Sequence, residues 1–224
     1  MHGKASMEFD FQYAWRILPA LLDGVVVTLE ATLCGIAIAI VGGLVLAIVR
    51  LSRQPILSTL AVWYMEFFRL TPLLVQLFFI FYVLPQYGIR LNGFVCGVIG
   101  LGLYYSAYTS EVFRAAIEKI PRGQWEASTA LNYSRGATWR RIILPQTPPI
   151  VVPVLANYTI GMFKESALLA TITVNELLGT ALKEASVTFR YLETITLVGI
   201  LYGVMSISAS LAAQNLETYF EKRR

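Results

Sequence analysis

Residues 123–145 read GQWEASTALNYSRGATWRRIILP, the most polar and most basic interior stretch of an otherwise apolar chain. The first part, 123–131, is rich in small residues. It predicts a short helix that closes at Asn132, a residue that tolerates the left-handed conformation of a helix C-cap. A second helix is predicted to begin near Ser134, a good N-cap residue. It should stop before Pro145, because the residue preceding a proline is disfavoured in the helical region.

The composition places the chain in a membrane. Hydrophobic residues make up 56% of its 224 residues and charged residues only 14%, against about 25% charged in soluble proteins. The single histidine is His2, which argues against histidine-based zinc sites and Ser-His-Asp catalysis. No Gly-x4-Gly-Lys-Ser/Thr motif occurs, so no ATP site of that kind is expected. We expect no metal site, no catalytic residue and no nucleic-acid partner.

Five apolar stretches are long enough to cross a bilayer, which takes about 20 apolar residues. They predict an all-α membrane domain over residues 25–216, with spans at about 25–49, 60–84, 94–116, 150–172 and 194–213. Residues 1–24 are predicted to form an extracytoplasmic, interfacial segment, because aromatic and polar residues alternate there. Residues 117–148 form a loop between the third and fourth spans, and 217–224 form a tail.

The distribution of basic residues predicts the orientation. Six of the eighteen lysines and arginines fall between Arg114 and Arg141, and the chain ends in Lys222-Arg223-Arg224. The loop after the second span contains Arg90 alone. Because cytoplasmic loops carry the excess of Lys and Arg, we expect the N-terminus outside, and the C-terminus and residues 117–148 in the cytoplasm.

The surface of the first loop helix suggests a contact with another protein. Ala127, Ser128 and Ala130 would leave one face with little side-chain bulk, so a partner could approach the backbone closely. Charges such as Glu126 and Arg135 surround this face and could set the register of the contact. The alternative is a solvated loop held near the lipid surface by its arginines.

Four separated motifs resemble the permease subunits of binding-protein-dependent ABC importers, in particular the polar amino-acid branch. In the first motif, the family has Glu-Ala-Ala, a glycine after three further residues, and Ile-x-Leu-Pro after nine more. This chain has Glu126-Ala127-Ser128 at the first part and Asn132 in place of the glycine. The last part is Ile142-x-Leu144-Pro145. The other motifs cover residues 66–76, residues 111–114 together with 121–126, and residues 163–168. The resemblance extends from about residue 9 to residue 219.

The resemblance implies a type I importer architecture with five transmembrane helices and a cytoplasmic two-helix coupling loop between spans three and four. It implies ATPase subunits that hold ATP and Mg, a second permease subunit (identical or homologous), an extracytoplasmic solute-binding protein, and a location in the bacterial inner membrane. This chain itself would bind no cofactor. The residues implied to couple to the ATPase are Gly123, Gln124, Glu126, Ala127, Ser128, Asn132, Arg135, Arg140, Ile142, Leu144 and Pro145.

Polar residues inside the predicted spans are candidates for a substrate pathway, because a charge at the bilayer centre costs at least ~2.5 kcal/mol. Lys164 and Glu165 are adjacent, so they point about 100° apart and should find separate partners. Tyrosines and serines could instead bond between helices, and Glu111 could reach water or Arg114. The candidate pathway residues are Gln76, Tyr104, Tyr108, Glu111, Asn157, Lys164 and Glu165.

Two other functions remain open at this point. An ion-coupled secondary carrier would use the same intramembrane charges without an ATPase. A membrane-embedded enzyme would use Glu111 or Glu165 as a general acid or base, but the sequence shows no nucleophile–base pair or metal-ligand cluster beside them. Acidic, basic and amide amino acids, and related zwitterions, are all possible solutes.

Overall fold

The computed structural model describes residues 9–52 and 54–221. Of Glu221, it describes the backbone alone. Residues 1–8 of the predicted interfacial segment and 222–224 of the predicted tail lie outside these ranges. The described helices are α1 (Phe11–Arg50), α2 (Pro55–Leu70), α3 (Leu73–Phe78), α4 (Gly93–Glu118), α5 (Arg122–Ala130), α6 (Arg135–Thr138), α7 (Pro148–Glu165), α8 (Leu177–Thr188) and α9 (Tyr191–Glu221). Short π- or 3-10-helical segments follow α3 (Phe79–Val83, Leu84–Tyr87), α6 (Trp139–Ile143, Leu144–Gln146) and α7 (Ser166–Ile172).

The first predicted span, 25–49, is part of a much longer helix. α1 begins at Phe11 and contains 40 residues, which is about 60 Å at 1.5 Å per residue. The side chain of Asp10 caps its first turn by accepting the Tyr13 N–H at 3.0 Å. Tyr13, Ile17 and Leu21 pack against α8 and α9, so residues 11–24 belong to the same helix as the first predicted span.

The second predicted span, 60–84, is broken. α2 and the helical segment Leu73–Tyr87 meet at an angle of 103°. Pro72 causes the break, because it lacks an N–H and holds Thr71 in an extended conformation (φ −98°, ψ 138°). By length and hydropathy, two described helices, α1 and α9, can cross a membrane, or three if this bent pair is one span. The count of five spans stays a prediction.

Small residues allow α1 and α4 to pack closely. Every fourth residue of α1 from Ala31 to Ala47 is buried alanine or glycine, and residues four apart lie on one face of a helix. Thr109 of α4 donates its hydroxyl to the carbonyl of Ala39 at 2.7 Å. Small residues of this kind let helix backbones approach each other in membranes, where interhelical hydrogen bonds add to the packing.

Polar contacts hold the end of the fold that contains the start of α1 and the α8–α9 turn. Arg190 lies 2.6 Å from Asp10, and the Tyr13 and Thr188 hydroxyls are 2.7 Å apart. The Tyr13 N–H and the Arg190 guanidinium lower the pKa of Asp10. The fully buried carboxylate of Glu176 caps α8 by accepting the Gly179 N–H at 2.7 Å.

Candidate functional site

The loop between α4 and α7 folds as two helices joined by a tight turn, as the sequence predicts. α5 ends in a Schellman motif, in which the Asn132 N–H bonds to the Thr129 carbonyl and the Tyr133 N–H to the Ser128 carbonyl, both at 3.0 Å. Asn132 has φ +54°, which confirms the predicted left-handed conformation at this position. Asparagine reaches that region at lower cost than most other residues with a side chain.

The exposed surface of α5 differs from the predicted one at a single position. Gly123, Gln124, Glu126 and Ala127 are exposed, whereas Ser128 is only 2% exposed. Ser128 therefore does not belong to the small-residue surface that a partner could contact, and the prediction that it does is wrong. Its hydroxyl donates a hydrogen bond to the carbonyl of Trp125 at 2.7 Å, so this buried polar group has a partner within its own helix.

The second helix begins as predicted but does not stop where predicted. Ser134 caps α6 by accepting the Ala137 N–H at 3.3 Å. The expected stop before Pro145 is wrong, because the backbone remains helical through a π segment and a 3-10 segment up to α7. These irregular turns accommodate the missing N–H of Pro145. The Gln146 side chain also donates to the carbonyl of Ile142 at 2.6 Å.

An aromatic and aliphatic cluster fixes the loop to the spans. Ile143 is fully buried and packs with Ile117 and Ile120 at the end of α4. The Trp125 and Trp139 rings meet edge to face, with their centroids 5.5 Å apart. Sequence reasoning missed these anchors, although two tryptophans in a polar loop are a signal of packing. Among the predicted residues of this half, Arg135, Arg140 and Pro145 are exposed, and Ile142 and Leu144 are half-buried.

Glu111 lies at the centre of an ion-pair cluster that joins three helices. It accepts a hydrogen bond from Arg50 at the end of α1, and Arg114 donates to it at 2.9 Å. Arg69, from the end of α2, lies 3.8 Å away, and Arg114 also pairs with Glu118 at 2.6 Å. The contact confirms the prediction that the Glu111 side chain could reach Arg114. We call these five residues the arginine cluster.

Arg69 does not pair with Glu66, although a separation of three positions could place the two side chains on one face of a helix. Glu66 is exposed, and the ion pair that the described residues show for Arg69 is the one with Glu111. The guanidinium of Arg69 also lies over the Tyr108 ring, 5.7 Å from its centroid. α2 ends beside α4 here, so Arg69 reaches across to the neighbouring helix.

Gln76 lies in α3, and its side chain reaches back to the break between α2 and α3. Its amide nitrogen donates to the Thr71 hydroxyl at 2.7 Å and to the carbonyls of Phe68 and Thr71 at 3.0 and 3.1 Å. Its amide oxygen is buried and has no hydrogen-bond partner within residues 9–52 and 54–221. The side chain thus compensates carbonyl groups that the proline-induced break would leave unpaired.

Tyrosines of α4 and α7 form a compact cluster. The Tyr104 and Tyr108 hydroxyls are 3.0 Å apart. The rings of Tyr105 and Tyr108 each lie 6.1 Å from Tyr158, within the range of favourable aromatic pairs. Two of the predicted pathway residues, Tyr104 and Tyr108, therefore contact each other.

Three predicted pathway residues lie on α7. Asn157 and Lys164 are exposed, and seven residues bring them to the same face of the helix. Glu165 is half-buried and interacts with the Tyr105 hydroxyl. Its Oε2 atom is buried without a hydrogen-bond partner among the described residues. Lys164 and Glu165 form no ion pair with each other there, as predicted.

A family model and several proteins of known annotation match this chain. Residues 39–224 match the family described as "Binding-protein-dependent transport system inner membrane component". The probable amino-acid ABC transporter permease protein y4tG of Sinorhizobium fredii is 39% identical over 96% of this chain and 93% of its own length. The arginine transport system permease protein ArtQ of Bacillus subtilis is 31% identical over 94% of this chain and 97% of its own length.

Two solved structures share the fold. A chain of an amino acid ABC transporter crystallised with histidines has a TM-score of 0.86 and 33% identity, covering 95% of this chain and 100% of that one. A chain of the MetNI methionine ABC transporter in an inward-facing conformation has a TM-score of 0.78 over 92% of this chain and 98% of its own. At 17% identity, this second likeness concerns the fold alone.

Proposed function

The chain belongs to the family of binding-protein-dependent transport system inner membrane components, and from this premise we propose that it is the transmembrane permease of an ATP-driven importer for polar amino acids or related small zwitterions. The relatives named as amino-acid permeases support this function. They favour it over an ion-coupled carrier and over a membrane-embedded enzyme. ATP and Mg belong to a separate ATPase subunit in this proposal, and this chain carries out no covalent chemistry.

The observation that supports this mechanism is that one part of the loop, α5, is exposed, while another part, around Ile143, is buried against the spans. α5 presents Gly123, Gln124, Glu126 and Ala127 to solvent, so an ATPase subunit can contact it with little steric obstruction. Ile143 is buried against the end of α4, so a displacement of the loop must displace that helix as well. The arginine cluster connects the same end of α4 to α1 and α2. A movement of the ATPase subunits would thus reach three helices at once.

The substrate pathway is proposed to run along the exposed face of α7. Asn157 and Lys164 supply an amide and a cation on that face. Glu165 Oε2, which is buried and has no hydrogen-bond partner among the described residues, would supply an acceptor next to it. Gln76 and Glu111 are proposed to hold the fold together, because the Gln76 amide nitrogen and the Glu111 carboxylate already bond to protein groups. A second permease subunit, identical or homologous, would face α7, and an extracytoplasmic binding protein would deliver the solute.

The membrane orientation is part of the same proposal. An excess of basic residues in residues 114–141 supports a cytoplasmic loop, where an ATPase subunit would lie. Asp10 and the α8–α9 turn would then face the outside, on the side of the binding protein. The family description supports an inner-membrane location.

Reversing the charge of Glu126 tests the docking surface. Glu126→Lys should reduce ATPase association and ATP-dependent uptake by roughly tenfold or more, because an unpaired or repelled charge in an interface costs at least ~2 kcal/mol. Membrane insertion should be unchanged. The matched control is Glu217→Lys, which makes the same charge change at another exposed glutamate, near the end of α9. Normal complex yield and uptake in Glu126→Lys would refute the docking surface.

A further inference from the structure

A crevice of about 930 Å³ lies between α5 and the ends of α1 and α4. Leu51, just after α1, and Ile120, just after α4, line it. Trp125 and Trp139 line it as well. α5 is attached to the rest of the protein mainly through these tryptophans and Ile143. Most of the space behind α5 is therefore open to another molecule.

The two faces of α5 serve different surroundings. Gly123, Glu126 and Ala127 do not line the crevice, whereas Arg122, Trp125 and Thr129 do. A contact of the ATPase with the first face leaves the second face free. The crevice is thus a separate site from the proposed docking surface, on the opposite side of the same helix.

The lining combines apolar groups with uncompensated positive charge. Arg122 and Arg135 both line the crevice and are exposed. Neither is within ion-pair distance of a carboxylate in the described part of the chain. Glu118 also lines the crevice, but its carboxylate is 2.6 Å from Arg114. Among the described residues, the site therefore combines two arginines that have no carboxylate partner with apolar side chains such as Leu51 and Ile120.

The position of the crevice matches the surface of a bilayer. α1 ends at Arg50 and α4 at Glu118, which is where both predicted spans leave the hydrocarbon. Tryptophan side chains are typical of this level, because their rings are apolar and their N–H groups are polar. Basic pockets beside membrane helices on the cytoplasmic side bind anionic lipid head groups.

We propose that this crevice binds an anionic phospholipid, whose phosphate pairs with Arg122 and Arg135 while its apolar part covers Leu51 and Ile120. The lipid fills the space behind α5 and stiffens the connection between the loop and the spans. This site goes beyond the proposed transport function and rests on it only in placing the crevice at the cytoplasmic leaflet. The comparison of two lipids that tests it requires neither ATPase nor solute, so either proposal can fail without the other.

Quenching of tryptophan fluorescence by brominated lipids tests the site. The full chain, with Trp15→Phe and Trp63→Phe, retains Trp125 and Trp139 as its only tryptophans. It is reconstituted into phosphatidylcholine vesicles that contain an equal, low mole fraction of either brominated phosphatidylglycerol or brominated phosphatidylcholine. At this equal mole fraction, we expect brominated phosphatidylglycerol to quench the fluorescence more strongly than brominated phosphatidylcholine.

Arginine variants distinguish the crevice from general membrane electrostatics. Arg122→Gln should weaken the preference for phosphatidylglycerol about fivefold, and Arg122→Gln with Arg135→Gln roughly thirtyfold. Arg140→Gln with Arg141→Gln is the matched control, because these two exposed arginines lie in the same loop but do not line the crevice. The control should keep the preference. The single variant still gives a measurable result if the double variant does not fold.

Four outcomes would overturn the proposal. Equal quenching by the two lipids would show that the crevice has no anionic preference. An equal loss in the control pair would assign the preference to loop charge in general. Displacement of the lipid by inorganic phosphate would identify a phosphate site. Loss of quenching when the ATPase subunit is added would assign the crevice to that protein.

Discussion

Gly43 provides the sharpest test of how closely α1 and α4 pack. A Cβ atom at this position would overlap Thr109 Oγ1 and would lie 2.9 Å from both Thr109 Cβ and the backbone nitrogen of Ser110. Backbone and branched atoms cannot move aside by a change of rotamer alone. Gly43→Ala must therefore push the two helices apart.

The expected cost can be worked out from three contributions. Overpacking of this kind costs about 1–3 kcal/mol, and losing the Thr109–Ala39 hydrogen bond adds about 0.6 kcal/mol. The higher helix propensity of alanine returns up to about 1 kcal/mol. We expect Gly43→Ala to lose about 2 kcal/mol of stability, which corresponds to a fall of roughly 4–8 °C in unfolding temperature for a chain of this size.

The assay is thermal unfolding of the purified chain in detergent, with Gly203→Ala as the matched control. Gly203 also lies in a long helix, but a Cβ there would meet nothing within 4 Å. The control should be neutral or slightly stabilising, because only the propensity contribution remains. Equal unfolding temperatures for the two variants would refute the close packing of α1 on α4.

Three further predictions concern charged groups. Glu111→Gln leaves three arginines without their shared counter-charge and should cost about 1–3 kcal/mol, measured by thermal unfolding. Glu66→Gln should cost almost nothing, because Glu66 is exposed and forms no ion pair within the described residues; equal effects would refute the ion-pair assignment. Because its pKa is lowered on folding, Asp10 stabilises the protein above its ordinary pKa, and this contribution disappears as the pH falls through the lowered value. Asp10→Asn should therefore unfold at a lower temperature than wild type at neutral pH and at the same temperature in strong acid; a constant difference at all pH values would contradict this. Lys164→Ala should reduce the substrate-stimulated ATPase activity of the assembled complex more than its basal activity. Lys183→Ala, at an exposed lysine of α8, should change neither activity. Equal loss of both activities in Lys164→Ala would remove Lys164 from the pathway.

Local chemistry explains which parts of the loop could be predicted. The turn at Asn132 and the cap at Ser134 depend on the backbone preferences and side-chain oxygens of single residues, so both were predicted correctly. The prediction that the second helix ends before Pro145 was wrong, because the neighbouring turns adopt π and 3-10 geometry around the missing N–H of that proline. The prediction that Ser128 is exposed was wrong for a different reason, because the Trp125–Trp139 contact decides which face of α5 turns inward.

The same distinction applies to the candidate pathway. Hydropathy and motif spacing selected seven polar residues, but spacing along a helix says nothing about which other helix supplies a partner. Glu111 meets Arg50, 61 residues away in sequence. Gln76 meets the carbonyls exposed at the bend before it. Asn157 and Lys164 are exposed and could meet a solute, and within the described residues the buried Oε2 of Glu165 beside them has no hydrogen-bond partner.

The sequence by itself determined the membrane character, the family and the position of the polar loop, because hydrophobic length, basic-residue bias and short motifs are properties of contiguous segments. The tertiary structure decided how close α1 and α4 approach, which arginines neutralise Glu111 and where the crevice behind α5 opens. Those features depend on distances between segments far apart in the chain. Long side chains such as arginine can reach many candidate partners, and only the packed arrangement of the helices selects among them.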